Sequence, residues 1–168
     1  MVCYAAHMDS KTLANLVLEN GLDVFERMFR AVEIVQERLN RACQTLHDAQ
    51  VPYAVIGGNA VAAWVATIGD GAVRNTRDVD LLLDEKDLLG VTIALQNAGF
   101  VRTKALETIV FLDGPEGKPS QGLYILLASR KVRPDYVGPA PSVNRMIEIN
   151  RRRIIELEAL VEMKLNRF

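Results

Sequence analysis

Tyr53-Ala-Val-Ile-Gly-Gly-Asn-Ala-Val-Ala-Ala-Trp64, followed after a loop by Arg77-Asp-Val-Asp-Leu-Leu-Leu83, is the segment around which the chain is organised. Its first half is a short apolar run led in by Pro52 and ended by Gly57 and Gly58, with Ala60, Ala62 and Ala63 next at good helix-forming positions. That order predicts a strand, a glycine turn and the start of a helix. A glycine pair lets backbone N–H groups come close to a ligand. A helix N-terminus carries partial positive charge, so a phosphate is its natural occupant. The second half predicts a strand on which Asp78 and Asp80 point the same way while Val79 points into the sheet. Two carboxylates aimed at one spot suit a divalent cation.

Together, Gly57-Gly58, a helix, and Asp78-Val79-Asp80 on the next strand resemble the signature of the nucleotidyltransferase superfamily, the polymerase-beta-like palm. The wording Ile-Gly-Gly-Asn-Ala-Val before Thr76-Arg77-Asp78-Val79-Asp80 is similar to the minimal and abortive-infection branch, found in prokaryotic toxin–antitoxin and antibiotic-modifying systems. The resemblance covers roughly residues 50 to 168. An Asp-x-Asp pair alone is weak, and the upstream glycine pair makes the combination fairly specific.

Bulk properties agree with one globular unit. The 168 residues are 49% hydrophobic and 24% charged, ordinary for a chain with a real core. We expect a single domain, with 1–50 supplying helices that pack on the sheet and 51–168 the palm and a final helix. Net charge is -1, but residues 1–100 hold 8 Lys/Arg against 13 Asp/Glu and 101–168 hold 12 against 8, so the basic residues lie late. No apolar run is long enough to span a bilayer, and the N-terminus has no secretory pattern, which predicts a cytoplasmic protein without membrane partners. Cys3 and Cys43 are too few for a disulfide framework. Cys3/His7 and Cys43/His47 share a helical spacing that a zinc site could use, yet zinc sites usually space their cysteines more closely, so filler roles are the expectation.

Along the rest of the chain, residues 9–20 predict a short helix opened by Asp9 or Ser10 and stopped by Gly21. A second follows to about Gln50, with Leu22, Phe25, Phe29, Val32, Val35, Leu39, Ala42 and Leu46 as an apolar stripe for one sheet face. An interface for a partner or a second copy is the alternative use of that stripe. Asp84 is read as the cap of a helix through Leu88, Leu89, Ile93 and Leu95 that ends at Gly99. Strands are expected at Phe100–Arg102, Ile109–Leu112 and Leu123–Ala128, a loop from Ser129 to Pro141, an edge strand at Ile154–Leu157 and a helix over Glu158–Arg167. The sum is an α+β fold, a small mixed sheet with flanking helices. Arg130, Lys131 and Arg133 are either phosphate contacts or a solvated basic loop, and Arg151-Arg152-Arg153 is a further basic run.

The resemblance implies transfer of a nucleoside monophosphate from an NTP, ATP included, to an acceptor hydroxyl of a protein, RNA or small molecule. It implies Mg²⁺ or Mn²⁺ on Asp78 and Asp80, commonly as two ions about 3.5 to 4 Å apart. Gly57, Gly58 and Asn59 would cradle the triphosphate, with Arg77 or Arg74 as charge partners. Lys164 falls where related enzymes bring a lysine to the nucleotide; a plain helix C-terminal lysine is the other reading. Two departures stand out. Catalytic members usually add a third carboxylate from a neighbouring strand, and Leu123–Ala128 has none: Tyr124 is nearest that position, and Asp113 is either a substitute or the start of an Asp-Gly-Pro turn. Related chains also often continue past the point matching Phe168. These departures keep a degenerate nucleotide- or protein-binding module, such as a toxin–antitoxin component, beside the enzyme. A third reading makes Asp78 and Asp80 surface charges and the glycines a turn.

Overall fold

The computed structural model describes residues 10–69, 76–105 and 108–166. In chain order the elements are α1 (Ser10–Asp48), β1 (Ala54–Ile56), α2 (Gly57–Ala66), β2 (Val79–Leu83), α3 (Leu88–Asn97), β3 (Phe100–Ala105), β4 (Thr108–Asp113), β5 (Leu123–Leu127), β6 (Met146–Ile149), β7 (Arg152–Ile155) and α4 (Leu157–Leu165). The strands form one mixed seven-stranded sheet in the order β3-β4-β5-β2-β1-β7-β6, the α+β architecture expected. β2 runs antiparallel to β1 and parallel to β5, and β1 runs parallel to β7.

Register assigns each side chain to a face. Val55 pairs with Leu81 and with Ile154, and Leu81 pairs with Ile125, so these four share one face. α1 covers it: Arg152, on the same face as Ile154, donates to Gln36 and Asn40 of α1, and the Tyr53 hydroxyl donates to the Cys43 thiol. Ile56, Asp80 and Tyr124 are paired neighbours on the opposite face, where α4 packs with α2 against it. β2 lies fourth of the seven strands, and its Val79, Leu81, Leu82 and Leu83 are wholly buried. A strand buried on both faces should read as a near-continuous apolar run, and β2 does, except at Asp80.

Several expectations change. α1 runs unbroken through Gly21, because a single glycine costs a helix only about 1 kcal/mol relative to alanine. Its stripe divides: Val35, Leu39, Ala42 and Leu46 are core, while Leu22, Phe25 and Phe29 stand exposed. Asp84 makes no capping bond; a short 3₁₀ turn, Glu85–Asp87, intervenes before α3, and Gly99 takes the left-handed conformation after it. The last strand lies inside the sheet, since β6 pairs outside it across a hairpin whose turn residues, Asn150 and Arg151, both have positive φ. Turns of that kind favour glycine or asparagine at both positions, so Arg151 hid the hairpin from the sequence.

Candidate active site

β1 delivers the chain to a sharp turn. Ile56 is extended, and Gly57, at φ +66°, opens α2 in the left-handed region. A Cβ at Gly57 would stand 2.0 Å from Oδ2 of Asp80, so only a glycine lets the first turn of α2 close on that carboxylate. Gly58 likewise makes room for Thr76, whose Cβ would be 2.9 Å from a Cβ there. The N-cap residue of α2, Ile56, has no side chain that can bond to the first N–H groups of the helix.

Asp78 is held in place from two sides. Thr76 Oγ1 donates to its Oδ1 at 2.9 Å, and the amide of buried Asn59 donates to its backbone oxygen at 2.9 Å. The same bond from the Asn59 amide fixes the entry to β2. Asp80 pairs with Ile56 on one side and Tyr124 on the other. Its pKa is raised to about 6, chiefly by burial and then by the charge of Asp78, with Lys164 opposing the rise. Tyr124 feels the same field: burial and then Asp78 and Asp80 push its phenol up, and its hydroxyl donates to Pro119 O at 2.8 Å.

Beside Asp80 lies a cavity of about 150 Å³. Gly57, Asp80 and Lys164 form its polar part, and Val132, Tyr136 and Met163 part of its apolar wall. Tyr136, Met163 and Asn166 carry no local signal for this site and come together only through folding. Asn166 grips the 129–140 loop at Gly138, accepting from its N–H at 2.7 Å and donating to its carbonyl at 2.8 Å. Ser129 and Ala140 close the base of that loop through backbone bonds.

Among the described residues no third carboxylate clusters with Asp78 and Asp80. Asp113 accepts from Arg38 at 3.2 Å and also pairs with Arg41, both on α1. Register places Asp113 with Ile109 and Ile125, on the side of the sheet away from Asp80. It therefore substitutes for nothing at the site: it satisfies Arg38, which is buried to 3% exposure and would otherwise be an uncompensated charge. Among the described residues no three His, Cys, Asp or Glu side chains cluster as metal ligands. A carboxylate pair still fits Mg²⁺, which is commonly held by one or two carboxylates with substrate phosphates and water completing its shell. Burial is the larger cause of the raised pKa of Asp80 and Asp78 the second, and a cation there would offset both.

Other basic candidates are distributed differently. Arg77 is exposed and lines no part of the cavity, and its carbonyl accepts from Arg38 at 3.4 Å. Arg74 lies outside the described residues. Arg130 pairs with Glu85, so it is tied to the loop before α3. Arg152 and Arg153 fasten β7 to α1 and to the carbonyl of Val51. Cys43 is buried and its thiol pKa is raised by that burial, His47 is exposed, and Cys3 and His7 fall outside the described residues.

No protein-family model matches the chain, and no curated protein matches it. Its structure is similar to the crystal structure of ANT(2'')-Ia in complex with adenylyl-2''-tobramycin, with TM-score 0.53 and 18% identity over 74% of this chain and 71% of that one. It is also similar to the solution structure of the antibiotic-resistance factor ANT(2'')-Ia, with TM-score 0.50 and 15% identity over 73% of this chain and 65% of that one. The fold, a mixed sheet with flanking helices, is shared with these nucleotidyltransferase structures.

Proposed function

We propose that the chain is a nucleotidyltransferase that binds a nucleoside triphosphate beside Asp80 and passes the nucleoside monophosphate to an acceptor hydroxyl. One observation carries this reading: Gly57 at the start of α2, Asp80 and Lys164 line one cavity, and the charge of Asp78 acts on Asp80 beside it. A phosphate-bearing ligand needs these groups together, and surface charges at a strand end would not. This disfavours the reading in which the aspartates and glycines are incidental.

In this reading the N–H groups at Gly57 and Gly58 bind phosphate oxygens, and the ammonium of Lys164 balances their charge. Val132, Tyr136 and Met163 offer an apolar surface to the base or ribose. Asp78 and Asp80 would hold Mg²⁺ or Mn²⁺, which when bound supplies charge neutralisation at the phosphate and the attacking and leaving oxygens. The acceptor oxygen forms its bond to the α-phosphorus as the bond to pyrophosphate breaks. Among the described residues no third carboxylate clusters with Asp78 and Asp80, so the acceptor proton passes to water and transfer rests on positioning and charge stabilisation. Lys164 and the loop bearing Arg130, Lys131 and Arg133 favour a neutral or anionic acceptor over an amine-rich one.

A second reading has its own observation. Tyr124 in place of the third acid suits a module that binds nucleotide without transferring it, or one kept for a protein partner such as a toxin–antitoxin component. Calorimetric titration of the four nucleoside triphosphates, with and without Mg²⁺, on wild type and Asp78→Asn tests the site. Metal-dependent binding that the variant loses supports it, and failure of all four to bind overturns it. Pyrophosphate release with a panel of hydroxyl acceptors then separates enzyme from binder.

A further inference from the structure

A cavity of about 760 Å³ opens between the C-terminal part of α1 and the β6–β7 hairpin. Gln44 of α1, Tyr53 ahead of β1, and Glu148 and residues 150–153 of the hairpin are in its wall. It shares no residue with the cavity beside Asp80. Tyr53 precedes β1 and Gly57 follows it, so the two cavities lie at opposite ends of that strand. A volume of this size is in the range of small-molecule sites.

Charge in this cavity is unbalanced. Arg41 is tied to Asp113, outside the wall, which leaves Arg151, Arg152 and Arg153 against Glu148 alone. Arg152 donates to Asn40 Oδ1 at 2.9 Å and to Gln36 Oε1 at 3.0 Å. Arg153 donates to the carbonyl of Val51 at 3.2 Å, and its guanidinium lies 5.4 Å from the centre of the Tyr53 ring. None of these partners is a carboxylate, so both half-buried guanidinium groups are fixed in place with their charge uncompensated among the described residues. Burial raises the pKa of Cys43 and of Tyr53 in the cavity wall, and the charges of Arg152 and Arg153 act against those rises, so both positive fields reach into the space.

Arg151 adds a conformational signal. It is the second turn residue of the hairpin, at φ +61°, a left-handed position where glycine or asparagine is at home. Its side chain is exposed and, among the described residues, makes no hydrogen bond or ion pair. An arginine there strains the turn and satisfies nothing in the fold, and strained residues cluster at ligand clamps.

We propose that this cavity binds a small phosphorylated sugar, its phosphate gripped by Arg151, Arg152 and Arg153. Three guanidinium groups less one carboxylate match a phosphate dianion, and the planar fork of arginine suits paired phosphate oxygens. The rest of the wall selects the body of the ligand. Among the described residues it has no exposed aliphatic or aromatic side chain, since Tyr53 is 2% and Cys43 4% exposed. A nucleobase or a nucleic-acid strand would need a stacking surface. Gln44, Glu148 and Asn150 instead offer amide and carboxylate groups, which suit hydroxyls.

Titration of ribose-5-phosphate into the full-length chain in EDTA, followed by two-dimensional amide NMR, tests the site. Shifts should concentrate in residues 40–47 and 148–153 and saturate, with ribose alone producing none. Arg151→Gly should weaken binding roughly 10- to 100-fold, as loss of a charge-assisted phosphate contact does. Its melting temperature should stay level or rise, because glycine relieves the turn. Arg151→Lys keeps the charge without the fork and should fall between the two. Amides that do not shift, shifts centred on Gly57 and Asp80, or an Arg151→Gly chain that binds as tightly as wild type would each overturn the proposal. So would a single-stranded RNA oligonucleotide that shifts the same amides where ribose-5-phosphate does not.

Discussion

Replacing Asp80 by asparagine should make the protein more stable at neutral pH. Folding places this carboxylate in the middle strand beside Asp78 and raises its pKa from 3.8 to about 6. Each unit corresponds to about 1.36 kcal/mol, so once both states are ionised the native state is penalised by about 3 kcal/mol. Near pH 3 the carboxyl is protonated whether folded or not, and no penalty exists. As pH rises between about 4 and 6 the unfolded chain releases its proton while the native chain keeps it, so wild-type stability falls. Above about pH 7 the penalty is complete and constant. Asparagine keeps the shape and never ionises, which removes this slope.

Urea unfolding followed by circular dichroism, in EDTA, should therefore show the two proteins nearly equal near pH 4 and Asp80→Asn ahead by up to about 3 kcal/mol near pH 8. For a chain of this length that gap corresponds to roughly 6–12 °C in melting temperature. Mg²⁺ with nucleoside triphosphate should narrow or reverse it by stabilising only the wild type. A variant that is less stable at pH 8, or an advantage of the same size at both pH values, would refute the placement of Asp80 as a buried, Asp78-repelled carboxylate.

Three other substitutions separate the parts of the site. Gly57→Ala places a Cβ 2.0 Å from Asp80 Oδ2 in the left-handed region, so it should cost at least about 1–2 kcal/mol by denaturation and abolish nucleotide binding by calorimetry. Asp113→Ala leaves buried Arg38 without its carboxylate and should destabilise by about 3 kcal/mol or more, while Mg²⁺-dependent nucleotide affinity per folded molecule stays unchanged. Tyr124→Asp adds an acid on the strand position paired with Asp80; Mg²⁺ titration should show tighter binding, and unchanged affinity would count against a metal position between them.

The Gly57 turn and the Asp78–Asp80 pair were legible because their signals are local: a glycine where the backbone must turn left-handed, and two acids two residues apart at the entry to a strand. The role of Asp113 was not, because it is set by Arg38, 75 residues away, and by a register that puts residue 113 on the face opposite Asp80. α1 was misdivided for a related reason, since a glycine is only a weak stop when the helix around it is otherwise favourable. Likewise the split of its stripe into core and bare halves depends on where the sheet ends.

Only the folded chain shows how costly its central feature is. β2 is otherwise apolar and buried, and a single change of Asp80 to a neutral side chain would relieve about 3 kcal/mol. Local choices that oppose the fold are expected where function, rather than stability, sets the residue. Gly57 supports the same inference, because its conformation and its missing Cβ serve the close approach to that carboxylate and no core contact. A fold retained purely as scaffold has no physical use for either feature. The two together favour a ligand-binding site, catalytic or not, over incidental surface charge, and they leave Tyr124 as the residue on which the choice between transfer and binding turns.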